Sequence, residues 1–97
     1  MIPYALHPEA DAELEEASFF YESRLIGLGK SFAAEVERTI FLIREFPDAG
    51  ALVGPARRRV LVARFPYSVI YRRDPDSITI VAVAHQRRRP GYWRRRK

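Results

Sequence analysis

The chain reads as an α+β domain in the order β-α-α-β-β-β, a helical hairpin packed on one face of a small antiparallel sheet. Three observations predict this. The N-terminus alternates apolar and other residues with period 2, two stretches then repeat apolar residues at helical spacing, and three short strand-like runs follow between turn residues. Ninety-seven residues make one domain, 1–97, whose residues 88–97 form a basic C-terminal tail.

Ile2, Tyr4 and Leu6 define the first strand, and Pro3, which has no backbone donor, places it short or at an edge. His7-Pro8-Glu9-Ala10 reads as a helix start, with His7 as a cap, Pro8 at the first helical position and Glu9 and Asp11 favoured by the helix dipole. From Pro8 to about Leu25, the residues Ala10, Leu14, Ala17, Tyr21 and Leu25 form one apolar face. Glu13, Glu15, Glu16 and Glu22 fall mostly on the solvent side. Gly27 and Gly29 allow a reversal. A second helix is expected from about Lys30 to Phe46, with Phe32, Val36, Ile40 and Ile43 as its stripe and Phe41, Leu42 and Phe46 widening it. Pro47 ends it.

Residues 47–56 read as a loop. Arg58 to Ala63 is a strand with Val60 and Val62 on one face, and Arg64-Phe65-Pro66-Tyr67 is a bend. Tyr67, Val69 and Tyr71 alternate with Ser68, Ile70 and Arg72, and Asp74-Pro75-Asp76-Ser77 is a tight turn. Ile78 to His85 is apolar on both faces, as a central strand should be.

Composition narrows the function. The chain has no cysteine, which excludes disulfides, thiolate metal sites and a Cys nucleophile. Two histidines and scattered acids show no ligand spacing, so neither a metal nor a cofactor is expected. No apolar run approaches the roughly 20 residues of a membrane span. The N-terminus lacks the order of a signal peptide, so a cytoplasmic location without membrane contact is expected. Charge is strongly divided. Residues 1–50 carry 4 basic against 10 acidic side chains, a balance of −6, whereas residues 51–97 carry 13 against 2, a balance of +11. Such a separation points to an acidic partner, nucleic acid or protein.

The basic residues Arg58, Arg59, Arg64, Arg72, Arg73, Arg87 and Arg88 lie on or beside the last three strands, on a sheet face expected to be partly open. Arginine forks match phosphate, and Tyr67, Tyr71, Tyr92 and Trp93 offer rings to stack on bases or fill a partner's groove. His85, at a strand end, is either a hydrogen-bonded structural residue or an acid/base acting on a ribose 2′-hydroxyl. In the second case arginines stabilise the phosphorane-like charge and Tyr92 is a second acid. Trp93 is expected to pack on the sheet or a partner.

The order and spacing of these motifs resemble the RelE/ParE superfamily of toxins from type II toxin–antitoxin modules. The likeness rests on His7-Pro8-Glu9-Ala10, Pro47, Arg58-Arg59, Arg64-Phe65-Pro66-Tyr67 before Val69-Ile70-Tyr71, and the run from Ala82 to Trp93. It implies a small basic toxin wrapped by a cognate antitoxin in a hetero-oligomer. RelE-like members cut mRNA on the ribosome with lysines and arginines, and ParE-like members poison DNA gyrase. No lysine lies between Lys30 and Lys97, and this absence with Phe65-Pro66-Tyr67 resembles the ParE branch. On that reading Arg58, Arg59, Arg64, Arg87, Arg88, Tyr92 and Trp93 bind the target without catalysis. A ribonuclease would instead use His85, Arg64, Arg87 and Tyr92 as its catalytic set, with Arg59 on the phosphate. A third class is a plain nucleic-acid-binding module.

Overall fold

A computed structural model describes all 97 residues. Its elements in order are β1 (Tyr4–Leu6), α1 (Pro8–Arg24), α2 (Leu28–Glu45), β2 (Ala51–Leu52), β3 (Arg58–Leu61), β4 (Tyr67–Arg73) and β5 (Ile78–His85). His7 caps α1 as its position suggests, its Nδ1 accepting the Glu9 N–H at 3.1 Å. Leu25 lies beyond the helix and is exposed. At the start of α2, Gly27 has φ +89° and no capping side chain of its own. Glu22 of α1 supplies the acceptor instead, taking the N–H of Gly27 at 2.9 Å and of Gly29 at 3.1 Å. A Cβ on Gly29 would run into the Ser18 carbonyl, so the two helices approach where no side chain intervenes.

The strands form one sheet of order β1-β5-β4-β3-β2. The α+β layering holds, but the sheet is mixed: β1 runs parallel to β5, with Tyr4 opposite Ile78 and Leu6 opposite Ile80. The difference traces to β2, a two-residue strand inside the segment expected to be a loop. It pairs antiparallel with β3 through Ala51 and Arg59. If every connection reverses the chain, the path from β1 to β5 contains six reversals, an even number, and the two strands end up parallel. Without β2 the parity changes and an antiparallel sheet follows. Pro3 sits beside the edge as expected, and its carbonyl accepts the Ile78 N–H at 3.0 Å.

The main core lies between the hairpin and the sheet. Phe32, Val36 and Ile43 of α2 meet Val69, Tyr71, Ile78 and Ile80, all fully buried. Each such aliphatic or aromatic side chain contributes about 1.5–3 kcal/mol relative to its exposed state. Phe41, Leu42 and Phe46 do not widen the stripe; they are 52%, 42% and 57% exposed, on the hairpin's outer surface. In β5 the register shifts, Ile70 facing Ala82 and Tyr71 facing Ile80, so Val81 is the extra residue. Ile78, Ile80 and Val83 therefore point at the helices, while Val81, Ala82 and Ala84 join a second, smaller core on the opposite face. That face is not open there, because Trp93 covers it. No helix is long and apolar enough to cross a membrane.

Candidate functional site

After β5 the chain folds back across the sheet in successive turns. The N–H groups of Arg88, Tyr92, Arg94 and Arg96 bond to the carbonyls of His85, Arg89, Gly91 and Trp93 at 3.0–3.2 Å. Gly91 takes φ +77°, a conformation other residues rarely adopt, and Arg94 folds against it. The basic tail is thus an ordered wall. Trp93, 6% exposed, packs on Ile70, Val81, Ala82 and Ala84, whose two alanines leave room for the indole.

The wall is fastened by a carboxylate. β1 pairs only as far as Ile80, which leaves the outer edge of β5 bare beyond it. Glu13 of α1 fills that gap. Its Oε1 accepts the Val83 N–H at 3.0 Å and Arg96 Nη1 at 2.8 Å, and its Oε2 accepts the Tyr92 hydroxyl at 2.5 Å and Arg96 Nη2 at 3.0 Å. Arg96 also reaches the Val81 carbonyl at 3.1 Å and the Glu9 carboxylate at 2.7 Å. Arg57 donates to the Arg96 carbonyl at 2.9 Å, while its Nε is buried without a partner.

Burial, and then the bond to Glu13, push the Tyr92 phenol well above the ordinary tyrosine range, with Arg96 and Arg88 opposing. Burial also raises Tyr21, Tyr67 and Tyr71. A raised phenol stabilises the fold fully below the unfolded value of about 10 and loses that contribution as pH rises through the folded value. Trp93 emission should therefore hold steady through about pH 10 and change only at higher pH. Tyr92→Phe should shift that alkaline change, as followed by fluorescence and phenolate absorbance; identical curves would contradict the coupling.

Between the C-terminal turns and β3–β4 lies a cleft of about 440 Å³. Arg59 forms one side, Arg88, Arg89 and Arg94 the other, and no carboxylate lines it. Leu61, Ile70, Ala84 and Trp93 give it an apolar floor, with Ser68 and His85 as polar groups. A second cleft of about 280 Å³, lined by Glu13, Glu16, Phe20 and Tyr67, lies toward α1. His85, Arg88 and Tyr92 line both and form the ridge between them.

Of the residues singled out in the sequence, Arg59, His85, Arg88, Tyr92 and Trp93 come together here. Arg88 stacks on the Tyr92 ring with its guanidinium carbon 3.8 Å from the centroid. The His85 ring meets Tyr67 edge-on at 5.0 Å, and its Nδ1 accepts the Arg87 N–H at 3.0 Å, which leaves Nε2 as the nitrogen able to donate. The other residues lie apart. Arg58 is half-buried and donates to the carbonyls of Gly50 at 2.8 Å and Asp48 at 3.2 Å. Arg64, at φ +68° in the β3–β4 turn, approaches Glu35 of α2 at 3.3 Å and lines neither cleft. Arg87 lines neither cleft. Arg73 pairs with Asp48 at 3.0 Å and Arg72 with Asp74 at 2.8 Å. Tyr71 cannot stack on a base: it is buried, its hydroxyl donating to the Pro47 carbonyl at 2.7 Å and accepting the Gly50 N–H at 3.1 Å. Tyr67 belongs to the aromatic cluster around Phe32.

Glu13 is the residue that sequence reasoning misses, having been placed with the solvent-facing acids. A signal for it exists, since Ala10, Glu13, Leu14 and Ala17 share the i, i+3, i+4, i+7 spacing of a buried face.

Among curated protein sequences none matches this chain. A solved structure described as the chromosomal ParDE TA system from P. aeruginosa superposes with a TM-score of 0.74. It covers 88% of this chain and 96% of that one at 20% identity, a likeness of fold. The family model for the ParE toxin of the type II toxin–antitoxin system parDE matches residues 4–90, nearly the whole of the described fold and most of the cleft, and the chain belongs to that family.

Proposed function

We propose that this chain inhibits growth by binding DNA gyrase in the cytoplasm, without catalysis, until a cognate antitoxin joins it in a hetero-oligomer. The observation carrying the binding reading is that the cationic wall is held by fixed structure while the acid–base candidates are already engaged. The Tyr92 hydroxyl is given to Glu13, His85 Nδ1 is occupied, and Arg64 and Arg87 lie outside the cleft. Arg59 and Arg88, with the exposed Arg87 beside them, form the target-binding surface; Tyr92 and Trp93 hold it in shape. The antitoxin's acidic segment covers basic surface, and its apolar side covers the hairpin, where Phe19, Ile26, Phe41 and Phe46 are left exposed.

A second reading, mRNA cleavage on the ribosome, draws on His85 sharing the cleft with four arginines. Inducible expression without antitoxin separates the two. The gyrase reading expects early loss of DNA synthesis and undiminished growth arrest by His85→Ala. Early loss of translation with cut transcripts, abolished by His85→Ala while antitoxin binding survives, would establish the ribonuclease instead.

A further inference from the structure

The cleft between β3–β4 and the C-terminal turns has a composition that a protein target alone does not explain. Its cations are all arginines, it has no acid to neutralise them, and its floor is apolar. We propose that it is a nucleotide-binding site, the arginine rim holding phosphate and the floor taking the base. This inference rests on the cleft, whose Arg59 and Arg88 also belong to the proposed target-binding surface, and nucleotide binding by the isolated chain is read without any target present.

Four exposed arginines line one cleft with no carboxylate among its lining residues, a charge arrangement that favours an anion there. Planar guanidinium forks bond phosphate oxygens in pairs, which an ammonium does less specifically. Inorganic anions need no apolar floor, yet Ile70, Leu61 and Trp93 line this one. Arg88 adds a planar group already stacked on Tyr92, against which a base can lie. The volume, about 440 Å³, falls within the range of small-ligand sites and is too small for a duplex. A free nucleotide and one residue of a single strand share this chemistry. His85, whose Nδ1 is taken by the Arg87 N–H so that Nε2 is left to donate, and Ser68 supply donors beside the rim.

Trp93 is the only tryptophan and lines the cleft, so occupancy can be read by its fluorescence as well as by calorimetry. The purified full chain is titrated with ATP, with tetrathymidylate, with inorganic tripolyphosphate and with a glutamate-rich peptide. Saturable binding of ATP or tetrathymidylate is expected, with tripolyphosphate weaker by about tenfold or more. The double variant Arg59→Gln/Arg94→Gln, at two exposed positions outside the Glu13 network, should weaken binding by about tenfold or more with unchanged circular dichroism and Tm. Tighter ATP identifies a free nucleotide and tighter tetrathymidylate a nucleic-acid strand. The proposal is overturned by no binding in calorimetry, by tripolyphosphate matching both nucleotides, by the peptide binding as well as they do, or by an unaffected double variant.

Discussion

Phe32→Ala is expected to cost about 3–5 kcal/mol of folding stability, the range for deleting a fully buried phenylalanine. A domain of this size holds only about 5–15 kcal/mol in all, so the variant should be partly unfolded at physiological temperature. Phe32 has no exposed surface, and its ring is enclosed by Tyr21 at 5.2 Å, Phe65 at 5.1 Å and Tyr67 at 4.8 Å. These rings come from α1, the β3–β4 bend and β4, three elements that cannot all close on a void. Edge-to-face contacts are lost with the area, adding to the transfer term. The damage also reaches the cleft, because Tyr67 supports the His85 ring. Phe41→Ala on the same helix should stay within about 0.5 kcal/mol of the parent, its side chain being half in water. Denaturant melts of both variants test the contrast; a Phe32→Ala loss below about 1 kcal/mol would mean that the cluster repacks.

The same two phenylalanines show what the sequence makes legible. Phe32, Val36, Ile40 and Ile43 repeat at helical spacing, and all four are buried. Phe41, Leu42 and Phe46 are just as apolar, but a helix against a sheet buries only one stripe, and whatever widens it faces solvent or a partner. Strand existence is legible from β-branched and aromatic runs, whereas the direction of β1 is not. It depends on the parity set by Ala51–Leu52, two residues too few to show any period. The Val81 bulge is hidden for a related reason: a run apolar on both faces keeps its appearance when its phase slips by one.

For the site, charge separation is legible and grouping is not. Thirteen basic residues after position 50 announce a cationic surface, but which of them share a cleft is decided by the path of the last turns. Arg58 and Arg59 are neighbours in a strand, so their side chains take opposite faces, and only Arg59 reaches the cleft. Arg64 carries the same charge, yet the turn at φ +68° delivers it to Glu35. For Glu13 the buried face is legible in its spacing with Ala10, Leu14 and Ala17, but what it bonds is not. Its partners Val83, Tyr92 and Arg96 lie 70 to 83 residues away, beyond any local pattern.

Glu13→Ala is therefore the substitution that should undo the site while sparing the main core. It strips the acceptor from the Val83 N–H, the Tyr92 hydroxyl and the guanidinium of Arg96, whose side chain is only 11% exposed. Removing one partner of a buried pair costs about 3–5 kcal/mol. The lower end applies here, because Arg96 keeps the Glu9 carboxylate at 2.7 Å. The loss falls on the last turns, whose other anchor is the small core under Trp93. Hydrogen exchange should quicken across residues 86–96 and the Trp93 emission shift to the red below the main melting transition, as the tail leaves the sheet before the hairpin does. Glu13→Gln keeps one oxygen acceptor without the charge and should fall between the two. The released tail frees Arg88, Arg89 and Arg94 from the positions that make the cleft, so growth arrest should weaken even where the fold survives. Unchanged emission and exchange in Glu13→Ala would show that Trp93 alone holds the tail. Lost growth arrest with the tail still docked would instead place Glu13 itself in the target interface.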